Sequence, residues 1–155
     1  MRKAYRVLAY VVAGEVVLQA MFMVWAVAGL TKWVNEGGVF DKAVMEDQQI
    51  IFPEIIGIPL HGLNGGIVIP AIALILLVLS FFAKVPGGAK WAGIVLVLAV
   101  VQGQLGYLGH DLPAAGALHG LNAIALLFAA LHAGRRSRAG ADEAAGAGKA
   151  VRSAA

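Results

Sequence analysis

Apolar residues fall along this chain in four long runs separated by short polar stretches, and the pattern predicts four membrane-spanning helices. The runs cover about 7–30, 59–83, 91–109 and 113–133; roughly 20 apolar residues in helical form cross the hydrocarbon core of a bilayer. The polar breaks are unequal. The first, 31–58, is long and includes FDKAVMEDQQII, which reads as a short amphipathic helix lying over one end of a bundle. KVPGGAK and GHDLPAAG are tight turns, and the second makes the third and fourth helices antiparallel neighbours. Beyond 133 the alanine- and glycine-rich stretch 134–155 carries mixed charge and reads as a disordered cytoplasmic tail.

Composition agrees with the pattern. Of 155 residues, 60% are hydrophobic and 14% charged, far more apolar than a soluble domain of this size. The first run follows MRKAYR and contains Glu15. It is longer than the apolar part of a signal peptide and no small-residue cleavage site follows, so a retained helix is expected.

Charge adds direction. Arg2, Lys3, Arg6, Lys84, Lys90, Arg135, Arg136 and Arg138 flank one set of helix ends, whereas the connections at the other ends hold only Lys32 and Lys42. Basic residues stay inside, which predicts a multi-pass protein of the inner (plasma) membrane with both termini cytoplasmic. Glu36, Asp41, Glu46, Asp47, Glu54 and Asp111 then lie outside. The net charge of +3 is a difference between two faces of a membrane and not a nucleic-acid footprint. Cysteine is absent, which excludes disulfides, thiolate metal sites and covalent c-type haem attachment.

Candidate chemistry lies in a repeated pentapeptide. LHGLN occurs at 60–64 and again at 118–122, each time shortly after a proline that suits a helix start, Pro59 or Pro113. Both helices run inward, so His61 and His119 are expected at similar depth near the outer surface. In each, the asparagine three residues on, Asn64 or Asn122, shares the histidine's face, and the glycine between, Gly62 or Gly120, leaves room for a bulky group to approach. A weaker echo joins VLQAMFMVWAVAGL in the first helix to VVQGQLGYLG in the third. Each pair reads as a glutamine-bearing helix followed by a histidine-bearing return. The whole is thus expected to be an all-α, two-plus-two helical hairpin repeat.

Two imidazoles from facing helices fill both axial positions of a haem iron, and an apolar bundle supplies the dry slot that a porphyrin needs. His61 and His119 are therefore read as the metal ligands of one haem b per chain, with Asn64, Asn122, Gly62 and Gly120 at the cofactor. The bland alternative is a pair of structural histidines among glycines that pack helices closely. His132 lies about 20 Å further along the fourth helix at 1.5 Å per residue, has no partner histidine in the second, and reads as an interfacial residue. His110 in the outer turn reads as a surface or supporting group, with a proton carrier or direct ligation in place of either histidine as the alternatives. Glu15 and Gln19 share one face of the first helix, and with Gln102 and Gln104 they read as a polar cluster that is either structural or a proton or quinone site.

The run VVQGQLGYLGHDLPAAGALHGLNAIALLFAALH resembles the third-to-fourth helix hairpin of the heme A synthase family. The long first outer connection before a histidine-bearing helix is similar to one half of that family's eight-helix, two-fold repeated proteins. The resemblance spans most of 7–133 and implies that His61 and His119 correspond to haem-ligating histidines on the outer side. The chain has no cysteine pair in its first outer connection, and Ile58 stands where the family has a glutamate one turn before the histidine. What the resemblance implies is thus a haem holder without the parts tied to oxidation of a haem methyl group, similar also to small four-helix b-type cytochromes. The expected function is single-electron transfer at the outer face, as a haem-dependent oxidoreductase or an electron carrier. The expected partners are membrane lipid, a quinol or external redox partner, and a second copy that restores eight helices. The competing expectations are a cofactor-free accessory subunit of a larger membrane complex and a quinone-, lipid- or small-molecule-binding protein.

Overall fold

The computed structural model describes the backbone of residues 1–47 and 49–153 and the side chains of 1–46 and 49–137. The described residues form helices and connecting turns, with no strand among them. Helix α1 spans Arg2–Asn35 and α2 Lys42–Asp47. Helix α3 spans Pro53–Ala83, α4 Gly88–Leu108 and α5 Pro113–Ser153. Four of them, α1, α3, α4 and α5, are long and apolar enough to cross a membrane, as in a multi-pass membrane protein.

The long helices run up and down in a ring: α1 packs on α3 and α5, and α4 packs on the same two. One end is fastened by backbone carbonyls of the α3–α4 turn. Arg2 donates to the carbonyl of Lys84 at 2.7 Å, Arg136 to that of Pro86 at 3.0 Å, and the buried Tyr5 hydroxyl to that of Gly88 at 3.0 Å. Lys84 and Gly87 both take positive φ, 51° and 67°, which turns the chain within a few residues. The expected spans are therefore right in number and order, but α1 and α3 begin earlier than 7 and 59.

The fourth span also continues past 133. Gly134 lies against the Tyr10 ring, and Ser137 is buried and donates to the Gly134 carbonyl at 2.8 Å. The tail expected to be disordered from 134 thus starts as packed helix, because a glycine there admits the tyrosine ring. The side chains from Arg138 onward lie outside the described residues.

The main core cluster lies towards the fastened end, with Ala26, Phe52 and Ala115 buried apart from it. Tyr5, Val12, Leu76, Val95 and Leu126 are fully buried, joined by alanines at 9, 73, 92, 99, 130 and 133. Small residues at these positions let the backbones approach, the usual route to association where lipid is as apolar as the side chains. Towards the other end the packing changes: α4 buries nothing beyond Ala99, and Ala115 is the one buried side chain of α5 before Leu126.

The first connection is partly helical. Asp41 caps α2 through a 3.0 Å bond from the Val44 amide, and Phe52 is buried against Trp33, ring centroids 5.8 Å apart. The short helix expected within FDKAVMEDQQII is present as α2, with Gln48 outside the described residues.

Candidate functional site

Above the core, His61 on α3 and His119 on α5 approach across a diagonal of the ring. Their ring centroids are 6.0 Å apart and their planes inclined by 48°. Each is held the same way by the glutamine-bearing helix beside it. His61 Nδ1 lies 3.0 Å from the backbone carbonyl of Gln19, and His119 Nδ1 lies 2.9 Å from that of Gln102. A carbonyl only accepts, so each Nδ1 carries a proton, which in a neutral ring leaves the lone pair on Nε2.

That tautomer, fixed by a backbone acceptor, is how metal-ligating histidines are oriented. Two imidazoles this close would supply two nitrogen ligands to a metal bound between them. Both rings are half-buried. The described residues hold no group of three or more histidine, cysteine or carboxylate side chains placed for a metal ion.

The asparagines behave differently. Asn122 donates to the Gln102 side-chain oxygen at 2.6 Å and to the Leu98 carbonyl at 2.9 Å. Asn64 is buried, yet its Nδ2 has no partner among the described residues, and neither does Gln19 Oε1. The Gln19 amide nitrogen instead donates to the carbonyl of His61 at 2.6 Å. Here α3 is locally a π-helix, Asn64–Val68. The cause is local: Pro70 has no amide proton and crowds the carbonyl four residues back, and Gly65 and Gly66 allow the turn to widen.

Gly62 and Gly120 are exposed, with open space around the position of a Cβ at either. The glycines that abut the cluster are Gly65 and Gly106. A Cβ at Gly65 would collide with the Gln19 amide, and one at Gly106 would stand 3.1 Å from His119 Cε1. The sequence marks Gly65 only as one of several glycines that pack helices closely, and it does not single out Gly106 or the glutamine carbonyls, because every residue has a carbonyl and only helix rotation selects which one meets a ring. The signals available were GG followed by Pro70 in α3, and the GQLG spacing in α4.

His110 is exposed in the α4–α5 turn, and His132 stacks on Trp91 at 4.0 Å near the fastened end, so neither joins the pair. Glu54 sits against Gly29 of α1. No protein-family model, curated protein or solved structure matches this chain.

Proposed function

We propose that the protein binds one haem b between His61 and His119 and passes single electrons at the end of the bundle where they lie. The observation that carries this reading is the matched pair of rings, each with Nδ1 tied to a glutamine carbonyl, 6.0 Å apart. Haem would supply a one-electron couple whose potential depends on its axial ligands and on burial. The chain's own residues do the positioning. The Gln19 and Gln102 carbonyls hold the imidazoles in the Nδ1-protonated form and raise the basicity of Nε2. Gly106, where a Cβ would stand 3.1 Å from His119 Cε1, keeps that side of the ring clear.

The two glutamine–histidine units belong to a two-plus-two hairpin repeat in this reading. The cationic end, with Arg2, Lys84, Lys90, Arg135 and Arg136, faces the cytoplasm of an inner-membrane protein, and the acidic end with the histidines faces outward. A quinol or an external redox protein is the electron partner, and a dimer would restore the eight-helix arrangement of the heme A synthase family.

Purification in detergent from haem-replete cells tests this. A red protein with a Soret band that shifts on reduction is expected; colourless protein favours the accessory-subunit or small-molecule-binding readings. In oriented vesicles an impermeant reductant is expected to act from the outer side. Action from the cytoplasmic side alone contradicts outer-face transfer even if haem is bound.

A further inference from the structure

The cationic end holds a second feature, independent of any haem. Along the lipid-facing seam of α4 and α5 runs a groove of about 370 Å³, walled by Trp91, Ile94 and Leu98 on one side and by Phe128, His132 and Arg135 on the other. Two alanines of α5, at 125 and 129, complete it. The spacing of these positions makes one continuous stripe on each helix, roughly 10–15 Å long at 1.5 Å per residue.

The groove has a polar head and an apolar body. At its head the His132 ring lies on the Trp91 indole at 4.0 Å, with Arg135 one turn further along. Arg2 and Arg136 are engaged with carbonyls of the α3–α4 turn, whereas Arg135 is exposed and has no hydrogen-bond or ion-pair partner among the described residues. No described carboxylate side chain belongs to this end: Glu15 is mid-span in α1 and Glu36, Asp41, Glu46, Glu54 and Asp111 lie at the opposite end, while Asp47, Asp142 and Glu143 are outside the described side chains. An aliphatic trough ending in an indole, an imidazole and a free guanidinium matches a long-chain amphiphile with an anionic head.

We propose that this groove binds one anionic phospholipid, its phosphate on Arg135 beside the His132–Trp91 pair and an acyl chain along Ile94, Leu98 and Phe128. A guanidinium presents a planar fork that meets two phosphate oxygens at once. The indole sits at headgroup level, where tryptophan is enriched. A neutral quinone ring would gain nothing comparable from the guanidinium, and a neutral lipid would place its own cation near Arg135.

The test uses Trp91 as reporter in a Trp25→Phe, Trp33→Phe background, in vesicles of phosphatidylcholine containing either brominated phosphatidylglycerol or brominated phosphatidylcholine. Brominated phosphatidylglycerol should quench Trp91 at about fivefold lower mole fraction, since one cation near a membrane surface is worth about 1 kcal/mol, and Arg135→Gln should remove that preference. Equal quenching by the two lipids, or a preference that survives Arg135→Gln, overturns the proposal. Inorganic phosphate in the millimolar range should leave quenching unchanged; displacement by it would assign the site to a free anion, and displacement by ubiquinone would assign it to a quinone, and either result overturns the lipid assignment. Native mass spectrometry of the unsubstituted chain from mixed micelles needs no variant. One retained phosphatidylglycerol per chain is expected, and none retained would contradict the proposal.

Discussion

The same five residues, LHGLN, stand in α3 and in α5, and their surroundings differ. In α5 the helix is regular, Asn122 spends both amide protons on α4, and His119 leans on Gln102. In α3 the turn after Asn64 is widened, Asn64 Nδ2 and Gln19 Oε1 are buried without partners among the described residues, and only the histidine contact is reproduced. The pentapeptide thus specifies the imidazole's approach to a neighbouring carbonyl, and the residues C-terminal to it specify the rest. NGGIVIP leads α3 into a proline, whereas NAIALLF carries α5 on without interruption. The feature common to the two halves is the one tied to the proposed function.

Four sets of substitutions probe the difference between α3 and α5. The largest effect is expected at the ligands: His61→Ala and His119→Ala should each abolish low-spin haem absorbance in purified protein, while His110→Ala and His132→Ala leave the spectrum unchanged. Equal loss in all four would erase the distinction between the pair and the other histidines.

Gly106→Val comes next. Its branched side chain would press on His119, and haem content per chain should fall at least severalfold by pyridine haemochrome assay, with helix content by circular dichroism retained. A Val at Gly62, where a side chain meets nothing of the chain itself, separates the glycine at the ring from the glycine in open space: the greater loss should come at Gly106.

The asparagines should part company in stability. Asn122→Leu removes two hydrogen bonds and strands the Gln102 oxygen, at a cost of about 1–2 kcal/mol in reversible unfolding in detergent. Asn64→Leu removes a donor that has no partner and should be close to neutral. Equal costs would mean that the two asparagines are equivalent after all.

The smallest effect is expected from Pro70→Ala. An amide proton returns at 70, the widened turn loses its cause, and backbone amides between 64 and 70 should exchange more slowly with deuterium while the equivalent stretch of α5 is unaltered. Unchanged exchange would place the cause of the π-helix in Gly65 and Gly66 alone.

Much of the architecture was legible in the sequence, since four apolar runs and two tight turns leave little choice for an up-and-down bundle. The meeting of His61 and His119 was legible too, because the duplicated motif stands within the first turns of two helices that run the same way. The glutamine carbonyls were not, as they depend on the rotation of α1 and α4. Nor was the widened turn of α3, where periodicity continues smoothly through Pro70 and only backbone hydrogen bonding records the break. The packed start of the tail escaped for a related reason: Gly134 and Ser137 resemble linker composition, and only the fold brings the Tyr10 ring against Gly134.

The central claim is that two carbonyl-anchored histidines hold one haem, and electron paramagnetic resonance of the oxidised protein tests it most directly. One low-spin signal of bis-imidazole type per chain is predicted, converted to high spin or lost when either His61 or His119 is replaced by alanine. A low-spin signal of undiminished intensity in the double variant His61→Ala, His119→Ala would contradict the account.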